Sequence, residues 1–228
     1  MKTQPGPDKD FPYLDTYVNF KFPDPCKWVD DIVSIGGNLS PGILLSAYEQ
    51  GIFPWYGPDD PIIWQSPNPR CVIFPDKLHV SSSMKKIFNN NIYEITYDKD
   101  FYGVIKGCAD KIRPGQNGTW ITTDIIDAYT ELHRLGWAHS AEAWKDGELA
   151  GGCYGVLLGR VFCGESMFAK KPNASKAAFL SLAKTMFDRG VAFIDCQVPN
   201  SHLMSLGGEE MARNVFLDLL KECRVSRY

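Results

Sequence analysis

Two carboxylates stand where carboxylates are costly. In VFCGESMF and in VAFIDCQV a single acid, Glu165 and Asp195, interrupts an apolar run of the kind that fills a strand. A charge in such a run must be paired, hydrogen-bonded or exposed in a cleft. One reading satisfies both acids with backbone donors or a lysine such as Lys176; the other places them in a site. Strand alternation turns Phe193, Asp195 and Gln197 to one face and Ile194, Cys196 and Val198 to the other. By the same count Val161, Cys163, Glu165 and Met167 share a face. Gln197 is a neutral amide that both donates and accepts, so it can orient a reacting group but cannot keep a proton. Asp195 is the better proton acceptor or electrostatic anchor. A rival reading pairs Cys163 or Cys196 with His139 to form a covalent intermediate. It is weakened because Cys196 should point away from the Asp195 face. The cysteines contain no CxxC pair and the histidines no HExxH, so reduced thiols and no metal are expected.

The elements that must hold these residues are legible around them. SAEAW, a Lys145-Asp146-Gly147 turn and ELAGGCYGVLL form two strands of a hairpin. Gly159-Arg160 turns the chain into the strand VFCGESMF. A helix then runs from Asn173 to Arg189, capped by Asn173 or Ser175 and stopped by Gly190, and leads into VAFIDCQV. Upstream, Ser40-Pro41 opens a helix ending near Gly51, a second covers His79 to Asn89, and a third covers 122–135 with Thr122 or Thr123 as N-cap. The fold class is α+β, with an α/β-type half from Ala138 onward. A small, irregular N-terminal lobe is expected over 1–67 and the larger domain over 68–228. Within the lobe, GIFPWYGPDDPIIWQSPNPR (residues 51–70) packs two tryptophans, a tyrosine and five prolines into a stretch suited to neither helix nor regular strand.

With 44% hydrophobic and 22% charged residues the chain reads as an ordinary packed globule. A net charge of −3 argues against non-specific coating of nucleic acid, so any RNA must meet a local basic patch. No apolar run approaches the roughly 20 residues that span a bilayer, and MKTQPGPDKDF has no apolar signal core. No membrane partner and a cytoplasmic location are expected.

Strands, helix and strand in this order suggest an acyl-CoA-dependent N-acyltransferase, which holds a pyrophosphate on the amides of a glycine-rich helix start. Here the helix is entered through Ala169-Lys170-Lys171-Pro172-Asn173-Ala174-Ser175, without a glycine. The CoA loop is missing. As a set, SIGGNLSPGILLSAYEQGIFPWY, IIWQSPNPR, GTWIT, GGCYGV, FCGESMF, NASKAAF and FIDCQVPNSH closely resemble the leucyl/phenylalanyl-tRNA–protein transferase family, from about residue 33 to about 206. The resemblance implies an acetyltransferase-like (GNAT-like) C-terminal domain without the CoA loop and an enzyme that needs no cofactor. Its expected partners are aminoacyl-tRNA carrying leucine or phenylalanine and acceptor proteins beginning with Arg or Lys, which it marks for degradation as N-degrons. A monomer is expected.

Site residues follow from the same resemblance. Asp195 and Gln197 match the family's catalytic pair, with Glu165 close by. Trp55 and Trp120 take the 3′-terminal adenosine. Cys153, Phe162, Met167, Leu182 and Ile194 form the aminoacyl pocket. Cys153 stands where the family carries methionine, which predicts a roomier pocket and a shift toward phenylalanine or another bulky side chain. Lys85 and Lys86 are what remains of a denser basic cluster for the tRNA acceptor stem, with Lys170, Lys171 and Lys176, or Lys106, Lys111 and Arg113, as possible compensation. A non-catalytic module binding N-terminal peptides or RNA is the remaining alternative.

Overall fold

A computed structural model describes residues 8, 10–111 and 119–224; Arg113 lies outside them. The N-terminal part builds β1 (Ile32–Ile35), α1 (Pro41–Glu49), β2 (Phe53–Pro54) and β3 (Ile63–Gln65), joined as a three-stranded antiparallel sheet in the order β1-β3-β2. The lobe is therefore more regular than its composition suggests. The proline-rich stretch supplies β2, β3 and the first residue of β4, because strands of two or three residues fit between prolines.

The remainder comprises β4 (Arg70–Ile73), α2 (Ser82–Asn89), β5 (Glu94–Tyr97), α3 (Phe101–Ala109), α4 (Thr123–Arg134), β6 (Ala138–Lys145), β7 (Glu148–Leu158), β8 (Val161–Ala169), α5 (Ala174–Asp188), β9 (Phe193–Gln197), α6 (Ser201–Ser205), β10 (Glu209–Met211) and α7 (Arg213–Cys223). The helix expected over 122–135 is α4, with Thr122 as its N-cap accepting from the Ile125 amide. The helix expected from His79 starts later, because Ser81 caps α2 by accepting from the Met84 amide. Seven strands form one sheet in the order β10-β4-β9-β8-β7-β6-β5. Only β8 and β9 run parallel, as a crossover through α5 requires.

One face of this sheet packs on α3, α4, α7 and the N-terminal lobe. A single apolar cluster joins Leu44, Tyr48 and Trp64 of the lobe to Tyr129, Phe193 and Phe216. The other face packs on α5 and α2, through Phe162, Ala178, Leu182, Ile194 and Met84. Lobe and sheet thus share one core.

Two irregularities decide where the site lies. In the β7–β8 pairing Tyr154 faces Ser166 and Gly155 faces Gly164, which leaves Glu165 as the extra residue of a bulge. Gly155 permits this close approach, since a Cβ there would lie 2.2 Å from the Cys163 carbonyl oxygen. The bulge reverses the alternation, so Met167 joins the α5 face while Val161 and Cys163 stay on the opposite one. The face expected to hold Val161, Cys163, Glu165 and Met167 together is therefore broken at Glu165. At the other strand, Gln197 takes φ +57°, in the left-handed region that non-glycine residues seldom occupy. β8 and β9 pair only from Val161 with Phe193 to Cys163 with Asp195. Beyond that point the two strands no longer pair with each other, while β8 stays paired with β7 and β9 with β4.

Candidate active site

Where β8 and β9 part, a cavity of about 450 Å³ opens. Gly164, Glu165, Ser166 and Met167 line it from β8, and Cys196, Gln197 and Val198 from the end of β9. Its apolar wall includes Cys153, Phe162 and Phe179. Trp55 and Trp120 line it too, Trp55 being exposed and Trp120 half-buried. Trp55 is held by backbone on both sides: its amide donates to the Ile63 carbonyl at 2.9 Å and its carbonyl accepts from Gln65 Nε2 at 3.0 Å. These bonds fix the main chain that carries the indole, and the exposed ring is open to stacking by a flat ligand.

The polar centre is a contact between Gln197 and Glu165. Gln197 Nε2 donates to Glu165 Oε1 at 3.1 Å, and the Tyr129 hydroxyl donates to Oε2 at 3.4 Å. The hydroxyl of Tyr48 is hydrogen-bonded to that of Tyr129. Burial pushes the Glu165 carboxyl up to about 7; the hydrogen bond from Tyr48 opposes this, the negative Asp195 adds to it, and Arg70 opposes it again. Burial, followed by the charge of Glu165, holds both tyrosine hydroxyls well above their ordinary values, so they stay protonated donors.

Asp195 lies behind this contact rather than on the cavity wall. Its oxygens are taken in bidentate fashion by Arg70, Nε to Oδ1 at 2.8 Å and Nη2 to Oδ2 at 2.6 Å, with both side chains almost fully buried. Oδ1 also accepts the Gln197 backbone N–H at 3.0 Å. Of the two readings of a buried carboxylate, Asp195 follows the paired one, though the partner is Arg70 and not Lys176. Glu165 follows the cleft one.

The residues expected to form the aminoacyl pocket divide. Cys153, Phe162 and Met167 line the cavity, while Leu182 and Ile194 belong to the apolar cluster behind it. Lys85 and Lys86 are solvent-facing on α2, away from the cavity lining, whereas Lys111 reaches the lining. The cysteine reading fails on geometry and charge. His139 Nδ1 is bonded to Asp98 Oδ2 at 2.8 Å. Burial holds the Cys163 thiol well above its ordinary value, with the charges of Asp195 and Glu165 adding to it. The Cys196 thiol is likewise raised, first by its hydrogen bond with Cys71 and then by burial. Cys196 does point away from Asp195, as alternation requires, but the cavity lies on the Cys196 side.

A family model described as leucyl/phenylalanyl-tRNA protein transferase matches residues 72–221, and one described as the N-terminal domain of the same enzymes matches residues 37–68. The chain belongs to this family. Proteins named leucyl/phenylalanyl-tRNA–protein transferase are 50% identical over 204 residues in Maridesulfovibrio salexigens (89% of this chain, 85% of that one). The corresponding figures are 51% over 202 residues in Desulfatibacillum aliphaticivorans (88% and 87%) and 52% over 189 residues in Myxococcus xanthus (83% and 81%). Among solved structures, a GCN5-related N-acetyltransferase from Kribbella flavida is similar with a TM-score of 0.42 and 10% identity, covering 76% of this chain and 62% of that one.

Within this family frame, the residues that sequence reasoning missed are Arg70, Tyr48 and Tyr129. Arg70 stands in the quoted IIWQSPNPR motif, and an arginine opening the apolar run CVIF was the available signal. The tyrosines lie on the buried faces of α1 and α4, where nothing distinguishes them from core.

Glu165 yields a stability prediction. Its folded value, about 7, lies above the ordinary carboxyl value of 4.5, so the fold favours the protonated form. The associated stability is fully present below pH 4.5 and is lost as pH rises through 7. Glu165→Gln, which is neutral throughout, should therefore stabilise the chain by on the order of 2 kcal/mol at pH 8, allowing for the partial exposure of the carboxylate to the cavity, and by little at pH 4.5. Thermal melts of both proteins across this range check it; an equal difference at both ends would contradict it.

Proposed function

We propose that this chain transfers leucine or phenylalanine from aminoacyl-tRNA to the N-terminal α-amine of an acceptor protein beginning with Arg or Lys. The observation that carries the reading is one cavity combining two tryptophans, an apolar wall and a Glu165–Gln197 pair. On this reading Trp55 and Trp120 stack the terminal adenine, which is worth roughly 1–3 kcal/mol per base without any sequence-reading helix. The aminoacyl side chain enters past Cys153, Phe162 and Met167, and Leu182 and Ile194 support that wall from behind. Membership of the family is the independent support.

The donor ester is already activated, so the reaction needs no nucleotide. The amine nitrogen attacks the ester carbonyl, a C–N bond forms, and the bond to the ribose oxygen breaks. The α-amine, of ordinary pKa about 7.7–8.0, is partly neutral near pH 7 and must shed one proton as it attacks. Glu165 is the carboxylate on the cavity wall, and a value near 7 suits it to accept that proton and pass it to the leaving ribose oxygen. Gln197 orients the amine or polarises the carbonyl. Asp195 serves as the electrostatic anchor behind them, its oxygens being engaged elsewhere. Glu165, when ionised, supplies the negative charge that a basic first residue would meet, because Asp195 is neutralised by Arg70. Among the described residues no helix is long and apolar enough to cross a membrane, and the reading has the enzyme acting as a monomer in the cytoplasm.

Transfer of radiolabelled leucine or phenylalanine from charged tRNA to peptides beginning with Arg, Asp or Ala tests the proposal. The Arg peptide alone should be labelled, with kcat/KM falling toward about a hundredfold per pH unit below 7, because Glu165 and the attacking α-amine both take up a proton there. Absence of transfer, or equal labelling of the three peptides, would refute it. Cys153→Met should narrow the cavity and raise the leucine-to-phenylalanine ratio by about tenfold, the size of discrimination a methylene-scale change gives. An unchanged ratio would show that Cys153 does not meet the aminoacyl group. Replacing Lys85 and Lys86 together by Ala should raise KM for aminoacyl-tRNA several-fold, most at low salt, and leave aminoacyl-adenosine analogues unaffected. Equal effects on both donors would remove this patch from the tRNA path.

A further inference from the structure

Arg70 touches nothing in the cavity, yet it is among the most firmly held side chains of the molecule. Its guanidinium spends two nitrogens on Asp195 and donates through Nη1 to the Gly51 carbonyl at 3.1 Å. It lies over the ring of Phe53 at 5.0 Å and that of Phe216 at 4.5 Å, so lobe, sheet and α7 all fix it. Through this clamp Asp195 is held with both oxygens turned from the cavity. Oδ1 also accepts the Gln197 N–H at 3.0 Å. That bond holds Gln197 in its left-handed backbone, at φ +57°, and the same turn carries its side chain to Glu165. A lysine cannot reproduce this arrangement, because a single ammonium lacks the planar fork that engages both carboxylate oxygens.

We propose that Arg70 is a positioning residue for the transfer reaction, acting through Asp195 to hold the Gln197 amide against Glu165. The inference rests on the transferase reading for its kinetic consequence but not for its structural one. Arg70→Lys keeps the charge and loses the fork. A displacement of about 1 Å at a reacting group can cost about 100-fold in rate, so kcat should fall by that order while KM for aminoacyl-tRNA stays within about twofold. Because the effect passes through Gln197, it should nearly vanish when Gln197 is already Ala, to less than about threefold. A purely structural arginine would instead lower kcat by the same factor in both backgrounds, and that result, or an unchanged kcat, overturns the proposal. If Arg70→Lys does not fold, Phe216→Leu, which removes one ring from the guanidinium and no charge, carries the same cycle.

A spectroscopic readout separates this proposal from the reaction itself. The side-chain amide resonances of Gln197, assigned by their loss in Gln197→Ala, should titrate with Glu165 near pH 7 in the native chain and should move and lose that titration in Arg70→Lys. Unmoved resonances would overturn the positioning role whether or not any peptide is labelled. An inactive native chain whose amide responds in this way would sink the transferase reading and leave the positioning intact.

Discussion

A guanidinium and a carboxylate, both almost fully shielded from water, meet at the junction of β4 and β9, and the rest of the molecule is arranged around that pair. Neither charge is tolerable alone at such a place: removing one partner of a buried ion pair costs about 3–5 kcal/mol, because the other is left uncompensated. The surroundings therefore satisfy both groups completely. Gly51 of the lobe, the rings of Phe53 and Phe216, and the Gln197 amide supply the remaining contacts. Lobe, sheet and final helix are tied at one point, which is why the small N-terminal sheet has a fixed relation to a site that it helps to line through Phe53, Pro54 and Trp55.

From that point a line of polar contacts runs outward. Asp195 fixes Gln197, Gln197 meets Glu165, and Glu165 is backed by Tyr129 and Tyr48. The buried end of the line is fully charged and neutralised. The end at the cavity carries a carboxyl poised near neutrality, since burial raises it while tyrosine donors and Arg70 restrain it. Such a division, one acid locked in an ion pair and its neighbour titrating near working pH, lets a site combine a fixed scaffold with a movable proton. The β8 bulge is what brings the second acid to the wall: without the extra residue Glu165 would be an ordinary strand position.

Much of the scaffold was legible because local chemistry agreed with the fold. The Asp146-Gly147 turn, the Thr122 cap, Gly190 after α5 and the apolar runs of β7, β8 and β9 each specified their element without reference to anything distant. The short strands of the lobe escaped because two or three residues between prolines carry no periodicity. So did β4, β5 and β10, whose identity comes from pairing with strands far along the chain. The site shows the same division. That Glu165, Asp195 and Gln197 were special could be read from polar residues in apolar runs. That Asp195 was paired could not, since its partner lies 125 residues away. Nor could the reversal of face at Met167, because a bulge leaves the apolar pattern intact while changing its meaning.

The most direct measurement is a crystal structure with a stable donor analogue, leucyl- or phenylalanyl-adenosine carrying an amide in place of the ester. The account predicts the adenine against Trp55 and Trp120, the amino-acid side chain beside Cys153 and Met167, and the carbonyl within hydrogen-bond reach of Gln197, with the Arg70–Asp195 pair unbroken. An analogue bound away from this cavity, or one that drew Asp195 out of its pair to meet the carbonyl, would contradict it.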